Sequence, residues 1–268
     1  LSVKWASCNI GAHKPEDYGN YFAFGEVTPK SPSWKNWNNP MTLKLWGDND
    51  AAHVIWGKQW RMPTKADCEE LLKECTWQLV NRGVIKGYEV TGPNGNSIFL
   101  PLTGRYGGDT QNYEARYRTS DAEMLNGDSY DDYSTIIMEL QKNFEDTEID
   151  YVGGASGHPI RPVEINLIGK WIREDCQCDS LCHYKFEADS TGYYSESHDG
   201  NVYKSSFTWS FDGKFLKLTR NKTDNSDDGG VDISKIIFQS GGRFAEYGSD
   251  NNFEETELNT TYFYRSKE

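Results

Sequence analysis

Trp56-Gly57-Lys58-Gln59-Trp60-Arg61-Met62-Pro63-Thr64-Lys65-Ala66-Asp67-Cys68-Glu69-Glu70-Leu71 joins a tryptophan-flanked turn to a proline and then to a capped helix start. Thr64 reads as the N-cap, with Asp67 three residues on as the acidic partner of a capping box. Cys68, Leu71, Leu72 and Cys75 follow at i, i+3, i+4 and i+7, which predicts one apolar face of a short helix. Upstream, Asp50 caps a second short helix through Ala51, Ala52, His53 and Val54. Further upstream, Ser2 to Ala6 alternates apolar and polar like a strand, and Tyr21 to Glu26 reads as another. Residues 28 to 49, with Trp34, Trp37 and Trp46, carry little periodicity and read as a long structured loop. Downstream, Gly87 to Thr91, the turn Gly92-Pro93-Asn94-Gly95-Asn96, and Ser97 to Pro101 make a hairpin signal.

The chain has 268 residues, enough for one large domain or two ordinary ones. Hydrophobic residues make up 36% and the mean hydropathy is -0.77, which suits β-rich domains with wet surfaces. A net charge of -13 repels phosphate backbones and anionic lipid, so nucleic acid is not an expected partner. No apolar run is long enough to span a bilayer. The chain starts at Leu1 rather than Met, so the expectation is a processed or trimmed signal segment. A secreted or outer-membrane lipoprotein, anchored through a lipidated N-terminus outside this chain, fits that expectation.

The segments "LSVKWASCNIGAHKPEDYGNYFAFGEVTPKS", "DAAHVIWGKQWRMPTKADCEEL", "CTW", "GYEVTGPNGNSIFLP" and "RPV" (Arg161 to Val163) follow one another in order. Together they resemble the Fibrobacter major paralogous domain, common in secreted and surface proteins of gut bacteria. The Trp56–Leu71 segment with its Arg61-Met62-Pro63-Thr64 run is also similar to a segment of C-type-lectin-like proteins such as the formylglycine-generating, sulfatase-activating family. The resemblance covers residues 1–165 and implies a C-type-lectin-like α+β fold: a small twisted antiparallel sheet, two helices and long functional loops. Tyr117-Arg118-Thr119-Ser120 departs from the family's aromatic-Trp-Ser-Ser run. Tyr133, Ile136, Ile137, Leu140 and Phe144 show helical spacing, whereas the family pattern places a strand near Thr135 to Gln141; the strand is the reading adopted.

Residues 166–268 form a second block of short alternating segments with turn signals at Asp199-Gly200-Asn201 and Asp212-Gly213-Lys214. Such spacing predicts an all-β barrel or sandwich. "GKW…YKFEADSTGYYS…FTWSFDGKFLKLT…YFYR" resembles small bacterial lipocalin-like domains. The resemblance implies that Gly169 and Trp171 are the lipocalin G-x-W start and that Arg265 packs on the tryptophan. Phe186, Tyr194, Phe207, Trp209, Phe215, Leu218, Ile236, Phe238 and Tyr262 could fill so small a barrel.

Six cysteines lie in two groups. Cys8, Cys68 and Cys75 read as core thiols, with a Cys8–Cys75 disulfide as the sharper alternative. Cys176, Cys178 and Cys182 beside His183 lack a standard zinc spacing, so a local disulfide in a turn is preferred over a metal. No late cysteine pair matches the copper-binding pair of formylglycine-generating enzymes, so an oxidase is the weakest reading. Gly92-Pro93-Asn94-Gly95 lacks the leading carboxylate or amide of a lectin calcium site, and Trp46 to Asp50 reads as a loop with a helix cap. His53 and His158 lack partners at triad spacing. No catalytic residue, metal or cofactor is therefore expected. Trp34, Trp37, Tyr106, Tyr113, Arg116 and Tyr117 are the candidate ligand contacts, although the tryptophans could instead plug their own loop. The favoured expectation is a non-catalytic binding or adhesion protein recognising a glycan, peptide or host protein through N-terminal loops. The alternative is a carrier of a small apolar ligand in the barrel.

Overall fold

Two carboxylates decide how the helices begin. Asp50 caps α1 (Ala51–Trp56): its Oδ1 accepts from the N–H of Ala52 at 2.8 Å and of His53 at 3.0 Å. Its Oδ2 accepts from the Met62 N–H at 2.8 Å, so one buried side chain ties the helix to the segment that follows. Thr64 caps α2 (Lys65–Glu74) and closes the predicted box: the Asp67 N–H reaches Thr64 Oγ1 at 3.1 Å, and the Thr64 N–H reaches Asp67 Oδ2 at 2.8 Å. Cys68 and Leu71 are buried, and Leu72 and Cys75 pack half-buried on the same core, as the spacing predicts. Arg61 forks onto the same carboxylate, Nη1 to Oδ2 at 2.6 Å and Nη2 to Oδ1 at 3.3 Å. Burial alone would raise the Asp67 carboxyl; the Arg61 charge and the hydrogen bonds from Arg61 and Thr64 outweigh it and hold it below the usual range.

This computed structural model describes residues 1–29, 37, 39–104, 106, 110–125, 133–175, 182–198, 201–211, 215–220, 230–239, 243–248 and 260–266, with backbone alone at 198, 237–239, 248 and 260. The chain divides into two units, Val3–Ile165 and Asn166–Glu268.

The first unit is built from small antiparallel sheets. Its strands are β1 (Lys4–Trp5), β2 (Tyr21–Phe22), β3 (Trp60–Arg61), β4 (Thr76–Arg82), β5 (Ile85–Thr91) and β6 (Ser97–Pro101). They continue with β7 (Glu114–Met124), β8 (Tyr133–Gln141), β9 (Glu148–Val152), β10 (His158–Pro159) and β11 (Val163–Glu164). The sheets run β1-β11-β3, β4-β5-β6 and β7-β8-β9, with β2 paired to β10. The predicted hairpin is β5–β6, in register from Thr91 opposite Ser97. The strand expected over Tyr21 to Glu26 stops at Phe22, because the Glu26 N–H turns back onto the Ala23 carbonyl at 3.2 Å. β8 is a strand, as adopted above. It is the middle strand of its sheet, and Thr135 to Leu140 are all buried, so the period of two is hidden and a helical spacing is left in view. Buried Arg161 binds the unit's ends together, donating to Asn9 Oδ1 at 2.7 Å, the Ala6 carbonyl at 3.1 Å and the Phe99 carbonyl at 2.9 Å.

The second unit is a closed up-and-down barrel of eight strands. They are β12 (Gly169–Arg173), β13 (His183–Phe186), β14 (Thr191–His198), β15 (Asn201–Phe211), β16 (Phe215–Arg220), β17 (Val231–Gln239), β18 (Arg243–Gly248) and β19 (Thr260–Arg265). Each pairs with the next, and β12 closes on β19 with Trp171 opposite Arg265, so no sheet edge is left open. This architecture is compatible with a lipocalin-like barrel. His198 stands opposite Asn201 across a short connection, and the turn expected at 212–214 lies outside the described residues. Inward-facing Trp171, Phe186, Phe207, Leu216, Leu218, Ile236, Phe244 and Phe263 form the core.

Candidate functional site

The structure disperses the aromatic rim expected from the sequence. Tyr117 is a correction: it is fully buried, paired with Met138 on the covered face of β7, and its hydroxyl donates to the Pro101 carbonyl at 2.9 Å. Arg116, one residue earlier, faces the other way and ion-pairs with Glu139 at 2.9 Å. Trp37 is half-buried against a core of Phe24, Tyr133 and Ile160, with its indole N–H on the Phe24 carbonyl at 2.8 Å, so it plugs its own loop. Tyr106 lies beside Tyr21 with ring centroids 5.6 Å apart. Trp34 lies outside the described residues.

Tyr113 is 61% exposed and anchors a different cluster. Asn112, at φ 67°, turns the chain ahead of it, and the Thr110 carbonyl accepts from the Tyr113 N–H at 3.1 Å. The Lys142 N–H returns to the Tyr113 carbonyl at 2.8 Å, which places Lys142 Nζ over the tyrosine ring, 5.6 Å from its centroid. Two residues on, Phe144 opens a 3-10 turn (Phe144–Asp146) and stays 38% exposed. Its ring lies 5.1 Å from half-buried Trp77, tilted by 31°. Beneath them, buried Tyr88 meets both rings edge-on, and its hydroxyl fixes the turn through the Gln141 carbonyl at 2.7 Å. Asn143 and Asp146 border the rings and bond to each other at 3.1 Å.

The result is two neighbouring aromatic groups at the end of β8: exposed Tyr113 under the Lys142 ammonium, and exposed Phe144 stacked beside half-buried Trp77 over Tyr88, with Asn143 and Asp146 in the same turn. Such a surface can stack a flat apolar face and hydrogen-bond its edges. Sequence reading found Tyr113 but missed Trp77, Lys142 and Phe144. Phe144 looked like the last member of a periodic apolar run, and Trp77 stood out only as part of the "CTW" segment. An aromatic just past the end of a buried strand, beside Asn and Asp turn residues, is the signal that could have exposed it.

His158 has a partner that the triad reading missed. Its Nε2 lies 2.8 Å from Ser156 Oγ, while that hydroxyl donates to the Gly153 carbonyl at 2.7 Å. The two side chains meet in the turn that follows β9. Fully buried Arg118 holds the same turn through the Ser156 carbonyl at 2.6 Å and also donates to Thr135 Oγ1 at 2.7 Å; burial pulls its pKa down to about 9.

The Cys8–Cys75 disulfide is also corrected. Cys8, Cys68 and Cys75 are free thiols; Cys8 Sγ–H points to the Ala12 carbonyl at 3.6 Å and Cys75 packs at the end of α2, where burial raises its thiol. Alkylation of the unfolded, unreduced protein is expected to label all three, and peptide mapping that finds a Cys8–Cys75 link would refute this. Cys182 is disulfide-bonded; Cys176 and Cys178 lie outside the described residues. Among the described residues no group of three His, Cys, Asp or Glu side chains could hold a metal, and no helix is long and apolar enough to cross a membrane.

In the barrel, Gly169 opens β12 at φ 128°, Trp171 is 2% exposed, and its N–H donates to the Leu167 carbonyl at 2.7 Å. The Arg265 guanidinium lies 5.1 Å above the indole and donates to the Asn166 and Ile168 carbonyls at 2.8 and 2.7 Å. Comparison with protein-family models, with curated proteins and with solved structures returned no match.

Proposed function

We propose that this is a non-catalytic binding protein, secreted or displayed at a bacterial surface, whose first unit recognises a glycan through the strip Tyr113, Lys142, Phe144 and Trp77. The observation that carries the reading is the exposure of the Tyr113 and Phe144 rings, the latter held over Tyr88. Rings presented outward offer apolar faces to the C–H face of a sugar, and Lys142, Asn143 and Asp146 are placed for its hydroxyls. Loops held by a rigid scaffold are where binding residues concentrate. A net charge of -13 argues against nucleic acid as the ligand. The C-type-lectin-like assignment of residues 1–165, membership of the major paralogous group, and anchoring through a lipidated segment outside this chain belong to the same proposal and rest on the motif order described above.

The test is a glycan array with the intact chain, followed by calorimetry on the best hit. Tyr113→Ala is expected to weaken binding about 10-fold, near 1.4 kcal/mol, because one exposed stacking ring is removed. Its melting temperature should not change, since the ring is mostly in solvent. Full affinity in both Tyr113→Ala and Phe144→Ala would overturn the assignment of the strip.

A further inference from the structure

In the first unit, hydrogen-bond direction along β5 fixes which way the backbone of its neighbour β4 points. The Gly92 N–H reaches the Asn96 carbonyl at 2.9 Å, and the Lys86 carbonyl accepts from the Leu102 N–H at 2.8 Å. The even residues of β5 therefore bond toward β6 and the odd ones toward β4. Val80 stands opposite Gly87 and Gln78 opposite Glu89, so these two bond to β5. Trp77, Leu79 and Asn81, between and beside them, turn their N–H and C=O groups to the open side. β4 ends its sheet, and among the described residues no protein group reaches these outward groups.

The other long strands at the borders of these sheets are guarded. On β6, Arg161 takes the Phe99 carbonyl at 2.9 Å, Tyr117 takes the Pro101 carbonyl at 2.9 Å, and Pro101 has no N–H. β7 is covered by a loop, with the Leu45 N–H on the Ser120 carbonyl at 2.7 Å and the Ala122 N–H on the Leu43 carbonyl at 2.8 Å. β9 carries Glu148 and Asp150 in its five residues. Covering loops, proline and charge are the usual protections of a sheet edge. β4, Thr76-Trp77-Gln78-Leu79-Val80-Asn81-Arg82, has none of them. Its one charge is already held, Arg82 on Glu16 at 2.8 Å and on Glu89 at 2.6 Å. Leu79 is 38% exposed at its centre.

We propose that β4 is the seam of a homodimer, pairing antiparallel with β4 of a second copy about a two-fold axis at Leu79. Charge favours a copy of this chain at this place. A net charge of -13 makes two copies repel wherever acids face acids, yet Thr76 to Tyr88 holds no Asp or Glu. The strand is also complementary to itself. Leu79 faces its own copy, and Trp77 faces the partner's Asn81. This register engages all three outward residues of both strands, for about six backbone hydrogen bonds, two per facing pair. Arg82 falls opposite the partner's Thr76, so no like charges meet. The two three-stranded sheets become one, a closed two-fold assembly. Its axis stands perpendicular to the sheet, so the Trp77 rings of both copies lie on one face. On the glycan reading above, that makes the dimer bivalent for a repetitive ligand; the assembly itself does not rest on that reading.

Sedimentation equilibrium of the intact chain without glycan, at about 1 to 300 µM, should show a mass rising from 30.6 kDa toward twice that value, as for a Kd of about 10–100 µM. Leu79→Lys sets two ammonium groups against each other across the axis, at a position exposed enough to take the longer side chain. It should weaken the dimer about 10-fold or more, with circular dichroism to check folding. Should the variant not fold, amide exchange of the wild type decides. Exchange at Trp77, Leu79 and Asn81 should slow as concentration rises, with Gln78 and Val80, already bonded to β5, as the internal reference. A mass that stays at 30.6 kDa, undiminished association of folded Leu79→Lys, or outward amides that exchange as fast in the dimer would each overturn the proposal. No glycan enters these measurements, so their failure is distinct from failure of the surface rings to bind one.

Discussion

Asp67→Ala is expected to destabilise the first unit by about 3–5 kcal/mol, because it breaks a buried ion pair from one side. Asp67 is 1% exposed and Arg61 9%, so water cannot take over the guanidinium's bonds without opening the α2 start. The same change strips the Thr64 N–H and hydroxyl of their acceptor, both at 2.8 Å. A domain's whole stability is about 5–15 kcal/mol, so a large loss of melting temperature should follow. The pH dependence has a definite sign. Asp67 is held below its unfolded value, so its contribution is complete above about pH 4 and is lost as pH falls toward the depressed folded value. Asp50 runs the other way, since burial raises it despite the bonds from Met62, His53 and Ala52. Subtracting the variant's stability from that of the wild type at each pH isolates Asp67. The difference should shrink in acid; a difference that grows in acid would contradict the assignment.

Trp171→Ala is expected to cost the barrel about 3–5 kcal/mol. The indole touches Phe244 at 4.8 Å, lies under Arg265 at 5.1 Å, and bonds to the Leu167 carbonyl at 2.7 Å. Removing it leaves a void among the packed rings of Phe244 and Phe263, which cannot collapse without moving β12 against β19. Hydrogen exchange should show lost protection in β12, β18 and β19. A loss under about 1 kcal/mol would mean that the barrel core repacks freely, which contradicts the packed ring cluster of the barrel.

Local chemistry was legible in the sequence wherever it was decided locally. The Asp50 and Thr64 caps depend on residues within three positions, and the β5–β6 hairpin depends on its own turn. The barrel strands showed because each has one wet face, so the period of two survives. β8 was masked because its sheet position buries both faces, and no propensity reports sheet position. Tyr117 and Arg116 illustrate the limit at a site: two adjacent residues point to opposite faces, and the sequence did not say which face the core covers. Trp77 and Phe144 meet only through the packing of β4 and β5 against the turn after β8. The alternative Cys8–Cys75 link is absent for the same reason, since spacing along the chain does not bring two Cα atoms within bonding reach, and the core-thiol reading stands instead.

The central claim is that the exposed rings of Tyr113 and Phe144, with half-buried Trp77 beside Phe144, form the contact surface for a glycan. Hydrogen exchange of the intact chain with and without a saturating array-selected glycan tests it most directly. New protection is predicted in residues 110–114 and 141–147 and in the first half of β4. Protection confined to other segments, with these unchanged at saturation, would contradict it.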